Sequence, residues 1–170
     1  MIWVFVLVGI AAFVGASVFF GAPYVPSLRR DLTELFDNFI PLGKDDVLLD
    51  LGSGDGVVLR EARRRGARAV GFEIHPLFAA ISALVSLRDP RVTVRLADMW
   101  RTPFPQDVTL VYAFSVGRDV KRLTRRVQSE ATRIGRPLRL VCYGNPLPGV
   151  EPVGTRGAYF LYQIAPLHPR

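Results

Sequence analysis

The stretch "LLDLGSGDGVV", residues 48–58, sets the tightest limit on how this chain can fold. An apolar run carries an acid, Asp50, near its end, and glycines follow at alternate positions, Gly52, Gly54 and Gly56. Glycine takes positive φ without strain and lets another molecule touch the main chain. Val57 to Arg65 then reads as a helix closed by Gly66. The unit is a buried strand, a bare loop and a helix. In open α/β sheets, ligands bind beyond the carboxyl ends of strands, which is where such a loop lies.

The rest of the chain repeats this alternation. "VLLDL" (47–51), "RAVGFEI" (68–74), "VTVRLA" (92–97), "VTLVYAFSV" (108–116) and "LRLVCY" (138–143) read as strands. Helices are expected over Leu28–Phe39, capped by Ser27, over Pro76–Leu87, opened by its proline, and over Arg118–Arg133. "GVEPVG" and "AYFLYQI" (158–164) read as a closing hairpin around "TRG". Strands alternating with helices predict a parallel sheet covered on both faces. The hairpin predicts an antiparallel edge on it.

No charged side chain occurs from Met1 to Leu28, and Ile2 to Gly21 is apolar throughout. A helix of about 20 residues spans roughly 30 Å, the hydrocarbon thickness of a bilayer. A core helix would keep a polar face, which this run lacks. A cleaved signal peptide would carry a preceding Lys or Arg and a shorter apolar stretch. A membrane anchor fits best. Arg29 and Arg30 are the first charges after it, so the rest of the chain is expected on the cytoplasmic side. Small residues at Ala11 and Gly15, and at Ala12 and Ala16, would let two anchors pair into a homo-oligomer. The organisation read this way is an anchor over 1–22, a neck and N-terminal helix over 23–44, and one α/β domain over 45–170.

The net charge is +7. The excess sits in "REARRRGAR" (60–68) and "RDVKRLTRRVQ" (118–128), read first as solvated helix faces and next as a surface for anionic lipid. No aromatic residues are interleaved with these arginines, so nucleic acid is not expected as a partner. The lone cysteine, Cys142, lies in an apolar run and reads as a buried thiol. Two histidines far apart make no metal site.

Which ligand suits the loop follows from its residues. From Gly52 a dinucleotide fingerprint would need glycine where Val57 stands, and no Gly-Lys-Ser/Thr ending marks a phosphate loop. An acid at the strand tip repels pyrophosphate and welcomes a cation. S-adenosylmethionine carries a positive sulfonium, a positive amine and no phosphate. Glu73, ending the second strand, could accept both ribose hydroxyls. Asp98, after the third, could accept from the adenine amine, with Met99 or Trp100 against the ring. Each acid alone reads equally well as a helix cap. Three of them around one glycine loop point to a common crevice.

"DLGSGDG", "GFEIHP" and "LADMW" resemble the class I, seven-β-strand S-adenosylmethionine-dependent methyltransferases over about residues 45–165. The uncharged N-terminus, "PYVPS" and the glycine-aromatic-Glu-x-x-Pro pattern at 71–76 are similar to the membrane-anchored protein-lysine methyltransferases. Members of that family modify the ATP synthase c subunit and the adenine nucleotide translocase. The resemblance implies a Rossmann-like seven-stranded sheet preceded by one transmembrane helix. It implies S-adenosylmethionine as cofactor, held by Asp50, Gly52, Ser53, Gly54 and Gly56 on the first loop, Glu73 and Ile74 on the second, and Asp98 and Met99 on the third. His75 departs from the family's usual asparagine, and "LVYAFSV" lacks the Asp/Asn-Pro-Pro-aromatic motif of enzymes that methylate nucleobase or glutamine amino groups.

A lysine near the membrane face of an integral membrane protein is the expected acceptor. Methyl transfer from a sulfonium needs alignment more than acid–base help. Aromatic side chains could line a lysine channel, with Tyr24 and Tyr143 as the catalytic candidates and Tyr112 as either wall or core. Pro23 and Pro26 either shape the neck over the cofactor or only stiffen it. Two rivals keep the same cofactor site: a methyltransferase for a lipid or quinone-like molecule, with His75 as base, and a membrane protein that binds the cofactor without catalysis.

Overall fold

The computed structural model describes Val4 and residues 29–167. Apart from Val4, the expected anchor, the neck and the neck tyrosine, Tyr24, lie outside the described residues. Among those described, no helix is long and apolar enough to cross a membrane.

The chain opens with α1 (Arg29–Glu34), which continues into a π-helical turn over Leu35–Phe39. The expected α-helix therefore widens halfway, with Ile40 N–H donating to the Leu35 carbonyl at 2.7 Å. The wider turn keeps Leu32, Leu35, Phe36 and Ile40 all buried. Then follow β1 (Val47–Leu51), α2 (Val57–Arg64), β2 (Arg68–Glu73), α3 (Pro76–Val85), β3 (Val92–Leu96) and β4 (Leu110–Ser115). After them come α4 (Val120–Ile134), β5 (Leu138–Gly144), β6 (Gly154–Arg156) and β7 (Tyr159–Ile164).

One seven-stranded sheet results, in the order β3-β2-β1-β4-β5-β7-β6. β1 to β5 run parallel, and β7 returns antiparallel between β5 and β6. The hairpin turn falls at Gly157 and Ala158, not around "TRG": Thr155 and Arg156 belong to β6, and Gly157 (φ +56°) takes the left-handed position. All five residues of β1 are buried because the strand lies mid-sheet with cover on both faces. On one face α1, the π-helical turn and α2 bury Leu32, Phe36, Val58, Leu59 and Ala62 against Leu48, Leu110 and Val141. On the other, α4 lays Leu123, Val127 and Ala131 on Leu49, Val111 and Leu140. Cys142 is fully buried among the latter, and burial pushes its thiol up to about 12.

The first basic run is not simply solvated. Arg64 and Arg65 converge on Glu61, which is 2% exposed, while Arg63 pairs with Asp89 and Arg68 with Asp107. In the second run, Arg126 turns inward to Glu130, also buried.

Candidate active site

Strand order reverses beside β1, whose neighbours β2 and β4 lead away in opposite directions. A crevice opens at such a switch point, beyond the carboxyl ends of the strands. The loop after β1 folds into it with Gly52, Gly54 and Gly56 at φ +99°, +52° and +81°, conformations that side chains with a Cβ resist. A Cβ built on Gly52 would meet no atom within 4 Å, so the main chain there is open to a visitor.

The amides of this loop are committed inward. Gly52 and Ser53 donate to the Phe72 carbonyl at 2.8 and 3.0 Å, Gly56 donates to the Ser53 carbonyl at 2.8 Å, and Gly54 donates to Glu73 Oε2 at 2.8 Å. A phosphate-binding loop works by aiming such amides at the ligand. Here four of them are spent on β2 and on the loop itself, which agrees with a ligand that brings no phosphate.

Glu73 is the hinge of the arrangement. It ends β2, is 8% exposed, and also accepts the His75 amide on Oε1 at 2.8 Å. Each carboxylate oxygen accepts one amide and keeps a second lone pair, so ribose hydroxyls can still bind. Ile74 follows, half exposed at the crevice end. Asp98 holds the third corner. It accepts the Trp100 amide at 2.8 Å and lies 3.7 Å from Arg101. Met99 and Trp100 are partly buried against the core, and the Arg122 guanidinium sits 4.1 Å from the Trp100 ring centroid.

Asp50 stands elsewhere than a strand tip suggests. It is 3% exposed inside β1, paired in register with Gly71 and Tyr112, beneath the loop rather than on its rim. Burial first, then the charges of Glu73 and Asp55, raise its carboxyl well above the ordinary value. A raised folded-state value makes the carboxylate a growing cost as pH climbs. Asp50→Asn removes that cost. The cofactor-free variant is expected to match the parent near pH 4 and to gain in melting temperature up to pH 8. Melting curves across that range check it, and a difference constant in pH would contradict the burial argument.

Sequence reasoning missed two of the three supports of this site. Gly71 in β2 must be glycine: a Cβ there would come within 2.7 Å of Ser53 Cβ and Leu59 Cδ1. Its signal was an isolated glycine inside a strand pattern. Ser53, included for its place in the motif, packs there with its hydroxyl buried and without a hydrogen-bond partner. The third is Glu130. It accepts the Phe104 amide at 3.0 Å and holds Arg126, which donates to the Met99 and Thr102 carbonyls at 3.0 and 2.6 Å. This clamp fixes the Asp98–Met99 corner from α4, and nothing local in the sequence announced it.

Tyr143 lies at the end of β5, half buried, with ring centroids 5.8 Å from Phe114 and 4.8 Å from Tyr159. The register places Tyr112, Phe114, Tyr143 and Tyr159 on the sheet face that also carries Asp50 and Glu73. Tyr112 is core, 3% exposed, and its hydroxyl is hydrogen-bonded to Tyr159. Burial pushes the Tyr159 phenol up to about 12, so it stays protonated at neutral pH. No group of three or more His, Cys, Asp or Glu side chains is placed to hold a metal among the described residues.

Comparison with known proteins adds to this geometry. The family described as "Methyltransferase domain" matches residues 49–139. The chain is 27% identical over 142 residues to the human lysine N-methyltransferase of the ATP synthase c subunit, covering 75% of this chain and 60% of that protein. It is 29% identical over 141 residues to the mouse adenine nucleotide translocase lysine N-methyltransferase, covering 79% and 58%. The chain thus spans about three fifths of the length of these curated relatives. In fold it is similar to an RNA methyltransferase from Salinibacter ruber solved with S-adenosyl-L-homocysteine, with a TM-score of 0.74 at 22% identity, covering 85% of this chain and 97% of that one.

Proposed function

Because this chain belongs to the class I S-adenosylmethionine-dependent methyltransferases, we propose that it methylates the side-chain amine of a lysine in a membrane or membrane-associated protein. S-adenosylmethionine supplies an activated methyl on a positively charged sulfur. The glycine loop would receive its body, Glu73 its ribose and Asp98 its adenine amine.

The observation that carries the lysine reading is the aromatic wall of Phe114, Tyr143 and Tyr159 beside the crevice, at the end of β4 and β5. Aromatic faces attract ammonium groups and hold the stem of a lysine in line. The chemistry asks for no strong base. A lysine amine of pKa about 10.4 costs roughly 4–5 kcal/mol to neutralise at pH 7. A pocket of low dielectric beside a positive sulfonium lowers that cost. Both lysine N-methyltransferase relatives support the same acceptor. The uncharged run over 1–22 supports a membrane anchor with the domain on the cytoplasmic side. A tether of that kind raises the effective concentration of substrates held in the same bilayer.

The test uses cofactor labelled on the methyl group, incubated with the full chain and membranes. Label is expected in protein, to be lost when lysines are blocked beforehand. Its rate should climb about tenfold per pH unit below the acceptor's pKa, since only the neutral amine attacks. Label that extracts into organic solvent would move the assignment to a lipid or quinone-like acceptor. Binding without turnover on any membrane fraction would leave a cofactor-binding protein instead.

A further inference from the structure

Helix α3 packs with its apolar side outward. The residues it buries are small, Ala79 and Ser82. Four of its five large ones, Leu77, Ile81, Leu84 and Val85, recur at helical spacing and stand 48%, 38%, 71% and 58% exposed, while Phe78 is half-buried beside His75. Leu87, 77% exposed, extends the row past the helix end. A sheet-covering helix ordinarily turns such a stripe toward its own core. A contiguous exposed apolar row of this kind marks a contact surface.

Charge identifies what it meets. Arg88 and Arg91 stand exposed where the row ends. From Ile74 to Leu96 the single acid is Asp89, already ion-paired with Arg63. A second copy of the chain presenting this face would bring the same arginines and no uncommitted carboxylate from it. An anionic lipid surface offers both partners that the face needs, an acyl boundary for the leucines and phosphates for the arginines.

We propose that α3 and the turn after it form a membrane-docking face that seats the folded domain on anionic lipid, with the apolar row at the headgroup–acyl boundary. This contact is separate from the anchor proposed over 1–22 and independent of which acceptor is methylated.

The test labels the full chain at Leu84→Cys with an environment-sensitive fluorophore; the native Cys142 is buried and does not compete. Vesicles of phosphatidylcholine with phosphatidylglycerol are expected to shift the emission to the blue. Nitroxide groups on the acyl chains should then quench it, and phosphatidylcholine alone should do neither. Exchanging Arg88→Gln and Arg91→Gln together should cut the ratio of seated to unseated probe roughly thirty-fold, at about five- to sixfold per basic residue near an anionic surface. Emission unchanged on both vesicle types overturns the proposal, even where the vesicles capture the chain. An equal shift on neutral vesicles overturns it too, because the arginines then select nothing. So does a blue shift present before vesicles are added. If it grows with protein concentration, a second copy covers the row; if it does not, the chain's own N-terminal segment does.

Discussion

Glu73→Ala is expected to weaken S-adenosylmethionine binding by roughly 10²–10⁴-fold while the domain stays folded. The carboxylate faces two jobs from one position at the end of β2. It accepts the Gly54 and His75 amides, each at 2.8 Å, and so holds the glycine loop against the second strand. In the proposed site its remaining lone pairs would accept the two ribose hydroxyls. A hydrogen bond to a charged acceptor is worth about 1.5–3 kcal/mol, and each 1.4 kcal/mol is about tenfold in affinity. Losing two gives the stated range. The amides left behind cost the fold about 1–3 kcal/mol each where they stay dry, and the crevice end is where water can reach them. Glu73→Gln keeps a carbonyl acceptor and should fall between. Calorimetric titration with cofactor measures both, and unchanged affinity in a folded alanine variant would take Glu73 out of the site.

The largest effect on stability is expected at Glu130. Its carboxylate is 3% exposed and serves the Phe104 amide, Arg126 and Arg133 together. Removing one partner of a buried ion pair costs about 3–5 kcal/mol, because the other charge stays behind. Arg133 is 40% exposed and can turn to water, so the lower figure applies. About 3 kcal/mol corresponds to a fall of roughly 6–12 °C in melting temperature for a domain of this size. Freed from Glu130, Arg126 loses its aim at the Met99 and Thr102 carbonyls, and the Asp98 corner loosens. Glu130→Ala should therefore also weaken cofactor binding, by less than Glu73→Ala does. Scanning calorimetry settles the first point. A melting temperature within about 2 °C of the parent would show that the clamp carries little of the fold.

These two residues differ in how far the sequence announced them. Glu73 stands at the end of an apolar run that any strand reading finds, and the role proposed for it follows from the strand-end rule. Glu130 sits in a basic helix, where its charge reads as one more surface pair. Its partner Phe104, and the Met99 and Thr102 carbonyls that Arg126 reaches, are more than twenty residues away. Asp50 falls between them. Its place in the motif was plain, but its depth was not, since burial depends on what packs over β1 from α2, β2 and β4.

What the sequence determined by itself is whatever the backbone decides locally: the strand–glycine–helix unit, the alternation that makes a parallel sheet, and the class of cofactor. Positive φ at Gly52, Gly54 and Gly56 and apolar periodicity are properties of neighbours in the chain. Only the tertiary structure decided that the loop amides are spent on Phe72 and Glu73, that Asp50 is buried, and that α3 turns most of its large side chains outward. Those outcomes rest on contacts between distant segments, whose desolvation and packing no local pattern encodes.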